Sequence, residues 1–352
     1  MTFERARAVI RAALDASAFP AATVEVGTAD TVLWREAFGR LTFDPDAPAT
    51  RQDTIFDLAS LTKVLSTTAL VMRHVEQGHF ALDDRVDTFL ASWRGIDREA
   101  VTVRDLLAHC SGLTAYLPFF RDHRGRVEYE HAIGALPLEY QPRTRSIYSD
   151  LGFILLAFIV EDRGATRLEA QFDALRDEIG EGLEVQFKPG PEWNDRTAPT
   201  EQDPWRGRLL IGEVHDENAW ALGGAAGHAG LFGTVAAVGA FAAHHLAVLR
   251  GDPGAFRRAT VETFIGRRRE IPGSSRALGW DTMLTTSSCG TRLSPRAFGH
   301  TGFTGTSLWI DPDRGVYAAL LTNRVHPTRQ KEAIRNVRRA WHDAVIEDIE
   351  TP

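Results

Sequence analysis

Ser60 and Lys63 stand three residues apart in the stretch IFDLASLTKVLSTTALVMRHVEQG, residues 55–78. On a helix that spacing puts both side chains on one face, where an amine reaches a hydroxyl. A serine hydroxyl is a weak nucleophile until a neighbouring base takes its proton, and a lysine desolvated by burial is such a base. The pair has the chemistry of an activated nucleophile for acyl transfer. Composition sharpens this. Of 40 basic residues only Lys63, Lys188 and Lys331 are lysines, so 37 (40 − 3) are arginines, which hold their proton at ordinary pH. With 13 serines in 352 positions, chance supplies roughly 3 × 13/352, or about 0.1, Ser-x-x-Lys pairs. A chain that otherwise avoids lysine keeps one beside this serine.

The rest of the composition narrows what such a nucleophile serves. At 352 residues and 43% hydrophobic content the chain builds a packed core of one large or two ordinary domains. A net charge of −7 and a pI near 6.0, without a basic block or stripe, argue against nucleic acid or an anionic membrane as partner and leave a small molecule. Cys110 and Cys289 are too few for a disulfide framework and lack Cys-x-x-Cys spacing, so both read as inert core thiols. No metal or organic cofactor is expected. The first residues hold no apolar run of secretory length, and no later run approaches 18 apolar residues. With Met1 as the native start, a cytoplasmic location is expected.

The elements that must position the pair follow from periodicity. Residues 4–17 carry a helical stripe, and 22–27 and 31–38 are β-rich runs joined by a short turn. The nucleophile segment is expected to be an amphipathic helix stopped by Gly78. Thr102-Val103-Arg104-Asp105 resembles a capping box opening a helix to residue 110. Tyr148-Ser149-Asp150 lies on the loop entering a helix over 151–162 that Gly164 closes. Residues 180–202 and 204–217 read as loop with short elements. The glycine-rich run 222–233 lacks the lysine and preceding strand of a phosphate loop, so close backbone packing or a substrate wall fits better. A helix is expected over 234–249, strands over 279–284, 298–301, 306–311 and 316–322, and a last helix over 329–346 with Ile334, Val337, Trp341 and Val345 inward. The expected fold is α/β of the α+β type: an antiparallel sheet flanked by helices, formed by 1–78 with 275–352, around a mainly helical domain, 79–274, with the active site at their interface.

Three signals in order, Ser60-x-x-Lys63, Tyr148-Ser149-Asp150 and His300-Thr301-Gly302, resemble the serine β-lactamase and penicillin-binding-protein superfamily, most closely its class C branch. FDLASLTKV, VTVRDLLAHCSGL and GHTGFTGTSLWIDP extend the resemblance along the whole chain. It implies that Ser60 is acylated, that Lys63 activates it and that Tyr148 shuttles protons to the leaving group and from water. It also implies an oxyanion hole formed by the backbone N–H groups of Ser60 and Phe303. Asp150, His300, Thr301 and Gly302 are then expected to face substrate, with His228 and Asp216 as further candidates near the glycine-rich run. The other histidines, His109 included, read as structural. Two departures from the family pattern matter. Asp150 stands where asparagine is usual, and a carboxylate there would favour the ammonium form of Lys63 unless it points elsewhere or binds a cationic group. His300 replaces a lysine whose fixed charge holds a substrate carboxylate, which weakens recognition of anionic substrates. The expectation is a serine hydrolase that forms an acyl-enzyme on an ester or amide, with small esters or amides favoured over β-lactams. A muramyl-peptide amidase or D-amino-acid peptidase is the alternative, and a non-catalytic binding or scaffold protein of the same fold is the rival from another class.

Overall fold

The structure, a computed structural model, describes residues 2–351. Helix α1 (Glu4–Asp15) leads into the hairpin β1 (Ala21–Gly27) and β2 (Val32–Gly39), and the short β3 (Phe56–Asp57) delivers the chain to the Ser60–Lys63 segment and α2 (Ala69–Glu76). The middle holds α3 (Val103–Leu107), α4 (Gly125–Gly134), α5 (Asp150–Gly164), α6 (Leu168–Ile179) and the short β4 (Val185–Phe187), β5 (Gln202–Asp203) and β6 (Arg208–Leu209). Then come α7 (Glu217–Ala221), β7 (Leu231–Gly233), α8 (Val235–Arg250) and α9 (Arg258–Ile265). The chain ends with β8 (Asp281–Thr282), β9 (Phe298–Thr301), β10 (Ser307–Asp311), β11 (Val316–Thr322) and α10 (Ile334–Glu350).

Six strands from the two ends of the chain make one antiparallel sheet, ordered β2-β1-β11-β10-β9-β8. β1 and β11, with Ala22 opposite Thr322 and Gly27 opposite Tyr317, stitch the ends together. Both strands are buried throughout, because each face of the sheet is covered. One face packs on α1 and α10 through Phe3, Ile10, Phe19, Trp34, Trp341 and Val345. The other packs on α8, whose Phe241 and Leu246 join a core shared with α2, α5 and α6. The antiparallel sheet flanked by helices is the fold class read from the sequence. α8 lies in the stretch assigned to the helical domain, yet it rests on β1, β10 and β11.

Several elements differ from expectation in ways that bear on the site. The segment that carries Ser60 and Lys63 is a 3₁₀ turn over Ala59–Leu61, a π-helical stretch over Lys63–Thr68, and then α2. Every residue from Leu61 to Met72 is buried, so this is a core helix and not an amphipathic one. Two of its hydroxyls are bound by the glycine-rich run: Thr62 Oγ1 accepts from Leu231 N–H, and Thr67 Oγ1 donates to the Gly227 carbonyl. Gly78 ends it at φ +73°, as expected. α5 closes at Ala165, in the left-handed region at φ +51°, one residue beyond Gly164. α10 begins at Ile334, not 329, because the Arg324 guanidinium takes the carbonyls of Arg329 and Lys331 out of any helix. β8 shrinks to two residues at the sheet edge. Asp105 does cap α3, accepting from Thr102 N–H at 2.9 Å. Among the described residues no helix is long and apolar enough to cross a membrane.

Candidate active site

Ser60 sits on a strained turn held from three sides. Ala59 has φ +46°, a conformation that costs a non-glycine residue about 1 kcal/mol or more. The buried Asp57 carboxylate spans the turn, accepting from Ala59 N–H at 2.8 Å and from His215 N–H at 2.7 Å. Burial pushes that carboxyl up, against the pull of the His215 N–H. From the sheet, Thr304 Oγ1 donates to the Asp57 carbonyl at 2.7 Å and Thr306 Oγ1 to the Leu58 carbonyl at 2.9 Å. The loop after β9 is thereby fixed against the turn that carries Ser60. Gly302 allows this approach, since a Cβ there would lie 2.6 Å from the Leu58 carbonyl oxygen and 2.1 Å from Thr306 Oγ1. Among the described residues no backbone acceptor takes the N–H of Ser60 or of Phe303.

Lys63 is fully buried, and its Nζ is surrounded by three acceptors. Ser60 Oγ lies at 2.9 Å, the His228 carbonyl at 3.1 Å and Asp150 Oδ1 at 2.7 Å. Burial works to neutralise the amine, but Asp150 and Tyr148 outweigh it and hold the Lys63 pKa above the ordinary lysine value. Lys63 therefore rests as an ammonium. Asp150, at the first position of α5, points at Lys63 and not away from it. The Tyr148 ring centre is 4.8 Å from Nζ, and Tyr148 lines the same cleft as Ser60. Burial raises the phenol, with Lys63 opposing, so Tyr148 rests protonated.

Tyr148 is itself placed by His109. The His109 backbone sits at φ +54°, its carbonyl accepts from Ile147 N–H at 2.9 Å, and its Nδ1 accepts from Ser149 N–H at 3.0 Å. The ring, 4.7 Å from that of Tyr148, completes a clamp on both sides of the tyrosine. Ser149 caps α5 by accepting from Gly152 N–H. Each member of the second motif thus has a distinct position: Tyr148 toward Ser60, Ser149 into the helix, Asp150 onto Lys63.

A cleft of about 720 Å³ opens over these groups, lined by Ser60, Tyr148, Asp150, Asp216, His300, Thr301, Gly302 and Phe303 among others. All the sequence-derived candidates except Lys63 and His228 line it. Lys63 lies beneath it. His228 is 1% exposed and reaches the centre through its carbonyl to Lys63 and its ring to Asp216, at 2.8 Å. Burial opposes the Asp216 charge, but His228 and the Ala219 N–H overcome it and keep the carboxyl below its usual range. The glycine-rich run packs tightly, since a Cβ on Gly227 would meet the Phe153 carbonyl oxygen at 2.0 Å. His300 is buried, and burial, followed by Arg276 and Lys63, drives its pKa well below the ordinary value. It is neutral and supplies no fixed charge.

Sequence reasoning passed over Arg276. It lines the cleft with its guanidinium 5.0 Å from the Tyr148 ring centre, and no carboxylate pairs with it among the described residues. Asp57, Thr304 and Thr306 were also passed over, although they fall inside FDLASLTKV and GHTGFTGTSLWIDP. Nothing marks Arg276, one arginine among 37 (40 − 3). The described residues hold no group of three or more His, Cys, Asp or Glu side chains fit for a metal ion. Burial pushes the thiols of Cys110 and Cys289 up to about 12, which leaves both unreactive.

With this geometry in hand, the chain can be set beside known proteins. A family profile described as beta-lactamase matches residues 6–340. N-acetylmuramyl-L-alanine amidase of Bacillus subtilis is 29% identical over 358 residues, covering 88% of this chain and 78% of the amidase. A Salmonella gallinarum protein, provisionally named a D-alanyl-D-alanine carboxypeptidase, is 29% identical over 313 residues, covering 78% of this chain and 70% of its own length. In fold, the chain is similar to EstCE1, a hydrolase with promiscuous acyltransferase activity, at a TM-score of 0.76 and 20% identity over 97% of both chains.

Proposed function

The chain belongs to the beta-lactamase family, whose members are serine hydrolases, and on that premise we propose that it hydrolyses a small ester or amide through an acyl-enzyme on Ser60. The observation that carries the proposal is the 2.9 Å contact between Lys63 Nζ and Ser60 Oγ on the floor of a cleft that Tyr148 also faces. In this mechanism the neutral minor form of Lys63 takes the Ser60 hydroxyl proton as Oγ bonds to the acyl carbon, returning it to Oγ when the acyl group leaves, and the N–H groups of Ser60 and Phe303 receive the developing oxyanion. Tyr148 hands a proton to the leaving group, then takes one from the water that releases the acyl group. The cleft draws Ser60, His300 and Phe303 from the stretches 1–78 and 275–352, and Tyr148, Asp150 and Asp216 from 79–274, which favours an active site between two such domains.

Within that class we favour a peptide amide carrying a free carboxylate near the scissile bond. Arg276 is a cation without a carboxylate partner in a cleft whose third-motif histidine is neutral, so the anion-holding charge has moved and not vanished. Relatives named amidase and carboxypeptidase agree with this choice over a simple esterase. The test is a substrate panel of an activated aryl ester, a D-alanyl-D-alanine peptide, a muramyl-peptide and a β-lactam, run on wild type and Ser60→Ala. Turnover by wild type and none by Ser60→Ala is expected, with the peptides preferred. Undiminished turnover by Ser60→Ala would overturn the assignment.

A further inference from the structure

Besides Arg276, two more arginines of the cleft lack a carboxylate partner among the described residues: Arg324 and Arg338, 8% and 7% exposed. Their neighbours are already matched, Arg329 with Glu201 and Glu217, and Arg335 with Glu332 at 3.6 Å. Neutral backbone oxygens hold the two instead. Arg324 donates from Nε to the Phe303 carbonyl at 2.7 Å and from Nη1 to the carbonyls of Arg329 and Lys331. Arg338 donates from Nη2 to the carbonyls of Gly302 and Thr306, at 2.6 and 2.7 Å. Both guanidinium groups are thus fixed to the loop after β9 that carries Phe303 N–H. Carbonyls set their direction but leave their charge uncompensated, and a buried cation is costly until an opposite charge meets it. Burial, with Arg324 and Arg335 adding, pulls the Arg338 pKa down to about 9, and burial followed by Arg335 lowers that of Arg324. Donors are left over as well. Arg324 Nη2 and Arg338 Nε and Nη1 make no hydrogen bond among the described residues, and of these Arg338 Nε is the one cut off from solvent.

We propose that Arg324 and Arg338 form a second anion subsite beside Phe303, so that the preferred substrate carries two anionic groups, one met by Arg276 and the other by this pair. The proposal rests on reading the cleft as the site of acyl transfer to Ser60, and it extends the substrate class from a singly to a doubly anionic peptide amide. The two subsites lie against different walls: Arg276 is 5.0 Å from the Tyr148 ring centre, before α5, and Arg324 is 4.4 Å from that of Phe303, after β9. The Phe303 ring, 50% exposed in the same cleft, offers apolar contact to the stem of a side chain whose charged end reaches the arginines. Open guanidinium N–H groups suit a carboxylate or a phosphate, which accept two such bonds side by side. Latching the loop needs donors alone, whereas filling this subsite needs the charge.

The test uses peptide amides that share a free C-terminal carboxylate and differ in one side chain, glutamate, glutamine or O-phosphoserine, on the acyl or the leaving side of the scissile bond. At one of these positions wild type should prefer the glutamate or phosphoserine peptide over the glutamine peptide by about tenfold to a hundredfold in kcat/KM, chiefly through KM. The larger preference identifies the anion as carboxylate or phosphate. Arg324→Gln and Arg338→Gln, which keep amide donors for the carbonyls, should bring the ratio to about one. Arg276→Met should slow all the peptides alike and leave the ratio in place. Taking a ratio cancels any shift of the oxyanion loop, which an uncharged aryl ester reports separately. A wild-type ratio of about one at both positions, or a preference that survives in both glutamine variants, would overturn the second subsite. Inorganic phosphate should also raise the melting temperature of wild type, Ser60→Ala and Arg276→Met, and not that of Arg338→Gln. Turnover by Ser60→Ala would remove the nucleophile without touching this shift, so the two ideas fail separately. If neither glutamine variant folds, Arg276→Met decides: a retained preference assigns the second anion to this pair, and a lost one returns it to Arg276.

Discussion

Gly302→Ala should separate catalysis from stability, because the glycine lies where the sheet meets the turn that carries Ser60. A Cβ there would sit 2.1 Å from Thr306 Oγ1, 2.6 Å from the Leu58 carbonyl oxygen and 3.2 Å from Ala59 Cβ. The hydroxyl can rotate, but the carbonyl is backbone. Restoring an ordinary contact of about 3.2 Å means moving the strand end or the turn by roughly 0.6 Å. That motion breaks the Thr306 to Leu58 hydrogen bond, now 2.9 Å, and shifts Phe303 N–H relative to Ser60 N–H. Overpacking of this kind costs about 1–3 kcal/mol of stability, whereas misplacing one oxyanion donor costs about a hundredfold to a thousandfold in kcat. The assay is steady-state hydrolysis of an activated aryl ester beside a thermal melt. A kcat within threefold of wild type, in a folded variant, would refute the claim that this contact aligns the two N–H groups.

Other perturbations probe the remaining parts. Lys63→Arg keeps the charge but can neither accept nor pass on a proton, so kcat should fall by about a hundredfold or more, and wild-type turnover would remove Lys63 from the mechanism. Arg276→Met should raise KM for a peptide with a free C-terminal carboxylate about tenfold to a hundredfold, from hydrogen bonds to a charged group worth about 1.5–3 kcal/mol. The same peptide with an amidated end should be unaffected, and equal effects on both would exclude carboxylate recognition. His245 is 2% exposed, and burial, with His244 adding, holds its pKa at about 4. The unfolded chain binds a proton near pH 6.5 that the folded ring refuses, so stability falls as pH drops from about 6.5 toward 4, by roughly 2–3 kcal/mol for this residue at pH 4.5. His245→Leu should reduce the difference between urea midpoints at pH 7 and pH 4.5, and an unchanged difference would contradict it.

The fold was readable where local pattern and global role agree. The β1–β2 hairpin, β11 and the motifs on the turn before Lys63, before α5 and after β9 carry their signals within a few residues. The helix after Ser60 was misjudged as amphipathic because its serine and threonines resemble a polar face. The partners of Thr62 and Thr67, Leu231 and Gly227, lie about 160–170 residues away, where no periodicity reports them. Asp150 could be identified as a departure but not aimed, since its direction depends on how α5 docks beside the buried lysine. Arg276 was invisible for a compositional reason: in a chain that uses arginine for nearly every cation, one more carries no contrast.

A covalent bond at Ser60 is the step on which the proposed hydrolysis turns. Rapid acid quenching of wild type with an activated aryl ester, followed by intact mass and peptide mapping, should find one acyl group per chain on the peptide containing Ser60, and none on Ser60→Ala. An acyl group on any other residue, or turnover without an adduct under conditions where deacylation limits the rate, would contradict it.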